Sequence, residues 1–152
     1  MAVYLASRGF AVGVHYASSE KGAWETVQII QSAGGVAKTI QADLMEDSQT
    51  EDLFKSATDL LGGPITCLVN NASICNFDTV ESATRESWDM HMQSNLRAPF
   101  LFTRAMAAQN LEEFLDDAGE PAPAGLIVNT IDQSVRKLSP EINTHALARR
   151  GA

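Results

Sequence analysis

Small polar residues follow each of four short apolar runs in the sequence, and these residues have the chemistry to bind a nucleotide. In an open parallel α/β sheet, ligands bind beyond the carboxyl ends of the strands, where small side chains let the backbone approach closely. We therefore predict a nucleotide cleft lined by His15, Tyr16, Ser18, Ser19, Asp43, Leu44, Asn70, Asn71, Ala72 and Ser73. Strand ends are also polar because they lead into surface loops, and this alternative stays open for any single end.

The elements that position these residues alternate between strands and helices. Apolar runs predict strands over residues 10–16, 36–40, 65–69 and 126–130, and helical periodicity predicts helices over 20–33, 47–61 and 84–110. Residues 116–125 are rich in Pro, Ala and Gly and predict a loop. Strands that alternate with helices of this length indicate βαβ units around a parallel sheet. The predicted fold is thus α/β, in a single domain over residues 1–152.

Composition excludes several classes of function. The 152 residues carry 11 basic and 19 acidic side chains, and a net charge of −8 argues against nucleic acid and anionic membranes as partners. The sequence has no apolar run long enough for a membrane span and no signal-peptide pattern, so a cytoplasmic protein is expected. Two cysteines, Cys67 and Cys75, are too few for a disulfide framework, and no metal site is expected.

Three of these segments together resemble the short-chain dehydrogenase/reductase family. Asn70 to Ser73, after an apolar run, is similar to the family's Asn-Asn-Ala-Gly signature, and Ala42-Asp43-Leu44 resembles its adenine-contacting acidic position. Asn95 stands where the family has a helix asparagine. The resemblance covers nearly the whole chain. It implies a Rossmann-type doubly wound parallel sheet and an NAD(P)-dependent oxidoreductase, with Asp43 and Leu44 at the adenine and residues 70–73 at the nicotinamide.

A subgroup of the family is suggested by Asp132. Most members carry a catalytic serine there, whereas pteridine reductases and their bacterial relatives have an aspartate, and His15-Tyr16 is also similar to that group. The resemblance implies reduction of a carbonyl or pterin-like small molecule, with Asp132 and Asn95 orienting substrate and a proton-relay water.

The cofactor implied by this subgroup is NADP(H) rather than NAD(H). No acidic residue occupies positions 16–19, where a carboxylate would bind an NAD ribose and repel a 2′-phosphate. Ser18, Ser19 and Lys21 could meet a phosphate instead. The alternative for the two serines is that they cap the following helix.

The sequence departs from the family at its beginning and its end. Members open with a strand and a Gly-rich turn that seats the pyrophosphate on a helix N-terminus. Residues 1–8 resemble the end of the helix after that turn, so the resemblance implies a pyrophosphate seat before residue 1. The strand is central in the family's sheet, and its absence leaves two facing strand edges unpaired. The family's later strands would follow residue 152.

The family's catalytic Tyr and Lys, four residues apart, are matched by His145 and Arg149. In the family the Tyr protonates the carbonyl oxygen, and the Lys lowers the Tyr pKa and holds the nicotinamide ribose. Histidine can carry a proton near neutral pH and arginine stays charged. Imidazole nevertheless differs from phenol in reach, and a misplacement of about 1 Å lowers rates by about 100-fold. The alternative is that both residues have no role.

The inherited function implied by the resemblance is therefore NADPH-dependent reduction, with this chain itself expected to be inactive. Two other interpretations stay open. The chain could be a non-catalytic binding or interaction protein that pairs with itself or a longer relative as a homo- or hetero-oligomer. It could also be a truncated gene product without an independent role.

Overall fold

The computed structural model describes residues 1–133, 136–137 and 141–151. The chain forms two compact units, Met1–Pro64 and Ile65–Ala152, which are described separately. Parallel strands connected through helices give each unit the α/β, Rossmann-like architecture predicted from the alternation of apolar runs and helical patterns.

The first unit is a β-α-β arrangement preceded and followed by a helix. Its elements are α1 (Ala2–Ser7), β1 (Val12–Tyr16), α2 (Glu20–Ser32), β2 (Ala37–Gln41) and α3 (Asp47–Leu61). Strands β1 and β2 pair in parallel, from Val12 opposite Ala37 to Tyr16 opposite Gln41. This register brings the carboxyl ends of both strands to the same edge, which places the loops after them side by side.

The core of the first unit is apolar and follows the helical period of α2. Val27 and Ile30 are both buried and pack with Ala6 and Ala37. The spacing of three puts the first two on one face of α2, toward the sheet. Burial of such side chains contributes about 1.5–3 kcal/mol each, so this cluster fixes α2 against β1 and β2.

The second unit contains a second parallel strand pair and helices that bury polar side chains. Its elements are β3 (Cys67–Asn70), α4 (Arg85–Met92), a π turn (Gln93–Arg97), α5 (Ala98–Ala107), β4 (Phe114–Leu115), β5 (Pro121–Ala122), β6 (Leu126–Asn129) and α6 (Asn143–Gly151). Strands β3 and β6 are parallel, from Cys67 opposite Leu126 to Asn70 opposite Asn129. Among the described residues, β1 pairs only with β2 and β3 only with β6.

The long helix predicted over residues 84–110 contains an internal irregularity. Thr84 begins α4 with a capping box, in which its hydroxyl accepts from the Ser87 amide and its own amide donates to the Ser87 hydroxyl. The helix widens into the π turn just before Pro99, which lies in the first turn of α5. Proline has no amide hydrogen for the preceding turn, so the irregularity precedes it. Such π turns are frequent at functional sites, and this one contains Asn95.

One predicted loop and two predicted strand starts need correction. Residues 116–125 were predicted to be a loop, but Pro121–Ala122 pairs antiparallel with Phe114–Leu115. The first strand begins at Val12 instead of residue 10, because the Phe10 amide donates to Leu5 O at the end of α1. The third begins at Cys67 instead of residue 65, because the Gln109 side chain binds both backbone groups of Ile65.

Candidate functional site

The loops after β1 and β2 are tied together at the edge of the first sheet. The His15 ring donates from Nε2 to Ala42 O at 2.9 Å, since a carbonyl can only accept. Gln41 Nε2 donates to Ala17 O at 3.2 Å, and the Ala42 amide donates to Tyr16 O. The predicted cleft residues of this unit, from His15 to Ser19 and Asp43 with Leu44, therefore lie on two adjacent, cross-linked loops.

Asp43 and Leu44 differ in what they present at this edge. Asp43 Oδ1 accepts from the Met45 amide at 2.9 Å, and its own amide donates to Gln49 Oε1 at 2.8 Å. Leu44 is buried, with its carbonyl accepting from the Thr50 hydroxyl. Asp43 thus keeps its second carboxylate oxygen without a partner among the described residues, while the Leu44 side chain belongs to the core.

The hydroxyls of Ser18 and Ser19 are exposed and have no hydrogen-bond partner in the part of the chain that the structure describes. Ser19 is the N-cap residue of α2, but its side chain makes no capping bond. Lys21, in the first turn of α2, is exposed and makes a long ion pair of 3.9 Å with Glu25. Two donor hydroxyls and a cation are the groups that a ribose phosphate requires, so these residues fit the adenosine half of NADP(H).

In the second unit, the ends of β3 and β6 are joined by a pair of asparagines. Asn70 Nδ2 donates to Asn129 Oδ1 at 2.8 Å, and the Thr130 amide donates to Asn70 O at 3.0 Å. Asn70 is buried, whereas Asn71, Ala72 and Ser73 are exposed beyond the strand. The predicted nicotinamide-side residues therefore begin at a fixed strand end and continue into an accessible loop.

Asn95 binds both backbone groups of one residue in that loop. Its Oδ1 accepts from the Ile74 amide at 2.9 Å, and its Nδ2 donates to Ile74 O at 2.8 Å. The side chain is completely buried. This amide therefore fixes the loop, and the predicted role in orienting a water stays a prediction.

His145 lies next to Asn95 and binds the same carbonyl. Its Nδ1 is 2.9 Å from Ile74 O and 3.3 Å from Asn95 Nδ2. The carbonyl can only accept, so Nδ1 carries a proton, and in the neutral ring Nε2 is the basic nitrogen. Only 2% of the residue is exposed.

Arg149 joins the loops that follow β3 and β6. Its two terminal nitrogens donate to Thr130 O at 3.0 Å and to Ala72 O at 3.1 Å. Burial lowers the pKa of this guanidinium, against the raising effect of the nearby carboxylate of Asp132 and the thiol of Cys75. Two of its five N–H donors are thus used to hold the backbone of these two loops. Asp132 itself is exposed beyond β6.

Three residues of this polar cluster were missed by sequence reasoning. Asp78, His91 and Thr144 are buried, and Thr144 is hydrogen-bonded to both of the others. Burial tends to raise the pKa of Asp78, but the hydrogen bonds from Thr144 and Ser87 outweigh it, and the pKa lies below its ordinary value. The position of His91 in a helical pattern carries no signal of these partners.

The described residues contain no group of three or more His, Cys, Asp or Glu side chains placed to hold a metal ion. Within the same residues, no helix has the length and apolar character needed to cross a membrane.

Comparison with known proteins gives a family and several relatives. The family described as short chain dehydrogenase matches residues 1–143. An uncharacterized oxidoreductase of Escherichia coli K12, YgfF, is 32% identical over 152 residues, which cover 99% of this chain and 59% of YgfF. The chain spans about half the length of the curated relatives it matches.

Two similar solved structures contain a dinucleotide. FolM alternative dihydrofolate reductase 1 from Brucella canis, complexed with NADP, is 36% identical, with a TM-score of 0.82 over 99% of this chain and 57% of that one. The landomycin C-6 ketoreductase LanV, with bound NADP and rabelomycin, is 27% identical, with a TM-score of 0.82 over 99% of this chain and 59% of that one.

Proposed function

The chain belongs to the short-chain dehydrogenase/reductase family, and we propose that it derives from an NADP(H)-dependent reductase of a carbonyl or pterin-like ring but does not itself turn over. The observation that carries this proposal is the burial of His145 and Arg149. These residues replace the catalytic Tyr and Lys, and they are only 2% and 5% exposed.

A proton donor must present a free N–H or O–H to the substrate oxygen. The protonated nitrogen of His145 is already bound to Ile74 O, and both terminal nitrogens of Arg149 are bound to backbone carbonyls. Bound NADPH would supply the hydride, and the remaining source of a proton at these two positions would be His145 Nε2, on a residue that is only 2% exposed. We infer that both side chains hold the cofactor-side loops in place instead.

The preference for NADP(H) over NAD(H) is supported by the unpaired hydroxyls of Ser18 and Ser19 and by the NADP found in FolM and LanV. The pteridine-reductase-like subgroup is supported by Asp132 and by the likeness to FolM. The net charge of −8 opposes the binding of an anion by a polypeptide of these 152 residues at long range. We expect this polypeptide to bind NADPH no tighter than about millimolar, or about −4 kcal/mol.

The test is NADPH oxidation with a ketone or pterin-like substrate, measured for the chain as it is and for the double variant His145→Tyr with Arg149→Lys. We expect no turnover from either, because the double variant also removes the two clamps on Ala72 and Thr130. Steady turnover by the unmodified chain that is abolished by His145→Ala would contradict the proposal and make His145 the proton donor.

A second candidate function, a non-catalytic interaction protein in the cytoplasm, is favoured by one observation. Phe77 and Val80, beside the loop that Asn95 holds, are about 80% exposed. Light scattering with size separation tests the simplest case, a partner that is a second copy. A mass twice the 16.4 kDa of one chain would support self-association if the double variant Phe77→Ser with Val80→Ser reduced it to the mass of a single chain. A single-chain mass at every concentration would argue against self-association.

A further inference from the structure

The start of helix α6 is anchored on a carboxylate 66 residues away in sequence. Asp78 Oδ1 accepts from the Thr144 amide at 3.0 Å, and Oδ2 accepts from the Thr144 hydroxyl. The Ser87 hydroxyl donates to Oδ2 at 2.9 Å. The backbone of Asp78 adds two more bonds, from its amide to Glu141 O and from the Asn143 amide to its carbonyl. A negative charge at a helix N-terminus is also favourable for the helix.

His91 completes this anchor from the α4 side. The Thr144 hydroxyl gives its one proton to Asp78, so it accepts from His91 Nδ1, which lies 2.6 Å away and also 2.8 Å from Ser87 O. His91 Nε2 accepts from the Asn76 amide at 3.1 Å. With one nitrogen donating and the other accepting, the ring is neutral and its proton is on Nδ1. His91 is completely buried, so its partners are fixed.

The anchor lies directly beside the residues that hold the cofactor-side loops. His145 follows Thr144 in sequence, and its ring packs edge-on against His91 with centroids 5.9 Å apart. Arg149 lies one helical turn further along α6. A shift of α6 along its axis would therefore move His145 from Ile74 O and Arg149 from Ala72 O and Thr130 O together.

We infer that Asp78, acting through the hydroxyl of Thr144, is the positioning residue of this site. It fixes the position of α6 along the helix axis, and thereby the distances of His145 and Arg149 from the loops after β3 and β6. The inference rests on the proposed function only in calling those loops the cofactor side. The positioning itself is a property of the chain without cofactor, and it can be tested without activity.

The test compares Thr144→Val, which keeps the shape of the side chain and removes the hydroxyl, with the matched control Thr144→Ser, which keeps the hydroxyl. The readouts are the ¹⁵N spectrum of the histidine rings and the exchange rate of the Ile74 amide hydrogen. In Thr144→Val we expect His145 to lose its preference for the Nδ1-protonated form and the Ile74 amide to exchange at least about 10-fold faster. Thr144→Ser should stay within about 3-fold of the unmodified chain.

A second variant keeps the test decisive if Thr144→Val unfolds. Ser87→Ala removes one hydroxyl from Asp78 without touching α6, and we expect the same changes with a smaller amplitude. Protection of amides in α5 shows that the unit is still folded in each variant. Unchanged His145 spectra and Ile74 exchange in a folded Thr144→Val chain would overturn the inference, whether or not the chain binds NADPH or turns over.

Discussion

The two units of the chain have interiors of different polarity. Among the described residues, buried side chains in Met1–Pro64 are apolar apart from Thr50, and those that define its core are Ala6, Val27, Ile30 and Ala37. The buried residues described in Ile65–Ala152 include eight polar ones: Asn70, Asp78, His91, Ser94, Asn95, Thr144, His145 and Arg149. They lie beside the apolar Ala98, Leu101, Met106, Ala146 and Ala148. The first unit is thus stabilised by apolar burial, and the second by apolar burial together with matched hydrogen bonds.

The difference shows in how each interior responds to a change. An apolar core tolerates a change of shape as long as its volume is filled. A buried polar network fails when one member is removed, because the partner is left unsatisfied in a medium with little water. The polar interior of the second unit is bound to residues 72–78, which lie outside its helices and named strands, through backbone groups of Ala72, Ile74 and Asn76.

The largest effect is expected for Asn95→Ala in the second unit. The change leaves the Ile74 amide without its partner and leaves the Ile74 carbonyl with His145 alone. It also empties the space of a completely buried side chain, and together these losses cost about 4 kcal/mol. Native-state hydrogen exchange of the second unit measures the loss. Asn95→Asp keeps only the acceptor and should lose less, and the exposed neighbour Asn71→Ala should change local stability by less than about 0.5 kcal/mol. Equal losses for Asn95→Ala and Asn71→Ala would contradict the account.

In the first unit, Ile30→Ala should cost about 3 kcal/mol, since it removes a fully buried side chain from the apolar core. Ile29 is the adjacent residue on the same helix and is 57% exposed, so Ile29→Ala is the matched control and should cost less than about 1 kcal/mol. Exchange rates of the α2 amides report both values. Ile30→Val nearly conserves the side-chain volume. If it lowered the stability of the first unit as much as Ile30→Ala, the difference drawn between the two interiors would be wrong.

Acid should weaken the second unit more than the first. The pKa of Asp78 is lower in the folded chain than its ordinary value of 3.8. The folded state therefore gains stability from this carboxylate above about pH 4, and the gain disappears as pH falls through the lowered value. The acid-induced unfolding transition, followed by the fluorescence of Trp88, should move to higher pH in Asp78→Asn. Asp89→Asn, on the exposed side of α4, should leave the acid transition almost unchanged.

The smallest effects concern the two helix N-caps. Thr84→Ala removes a capping box from α4 and should cost about 1 kcal/mol, whereas Ser19 makes no capping bond to α2 and Ser19→Ala should change stability by less than about 0.5 kcal/mol. Amide exchange in the first turns of α2 and α4 measures both. A loss of about 1 kcal/mol for Ser19→Ala would mean that this hydroxyl caps the helix and is not available for a ribose phosphate.

Much of the fold follows from local sequence. The apolar spacing in residues 47–61 and the Gly62 that follows, with φ of +79°, place α3 with its exact ends. The apolar runs give the four parallel strands to within two residues. The hairpin of Phe114–Leu115 with Pro121–Ala122 was missed, because Pro and Gly in that stretch indicate a turn but not the strands beside it.

Less of the site could be predicted. Resemblance to the family placed Asn95, His145 and Arg149 in one region, and the structure brings the first two within 3.3 Å. The cluster of Asp78, His91 and Thr144 has no local signal, because its members are up to 66 residues apart and none stands in a recognisable pattern. Contacts of this kind depend on the tertiary arrangement, and a single sequence does not encode them in any periodicity.

Residues 72–78 are held at alternate backbone amides. The amides of Ile74 and Asn76 donate to the buried side chains of Asn95 and His91, and that of Asp78 donates to the backbone carbonyl of Glu141. The amides of Ser73, Cys75 and Phe77 have no partner among the described residues. Residue-resolved hydrogen exchange tests this directly. We expect slow exchange at 74, 76 and 78 and fast exchange at 73, 75 and 77. Uniformly fast exchange across the segment would contradict the account.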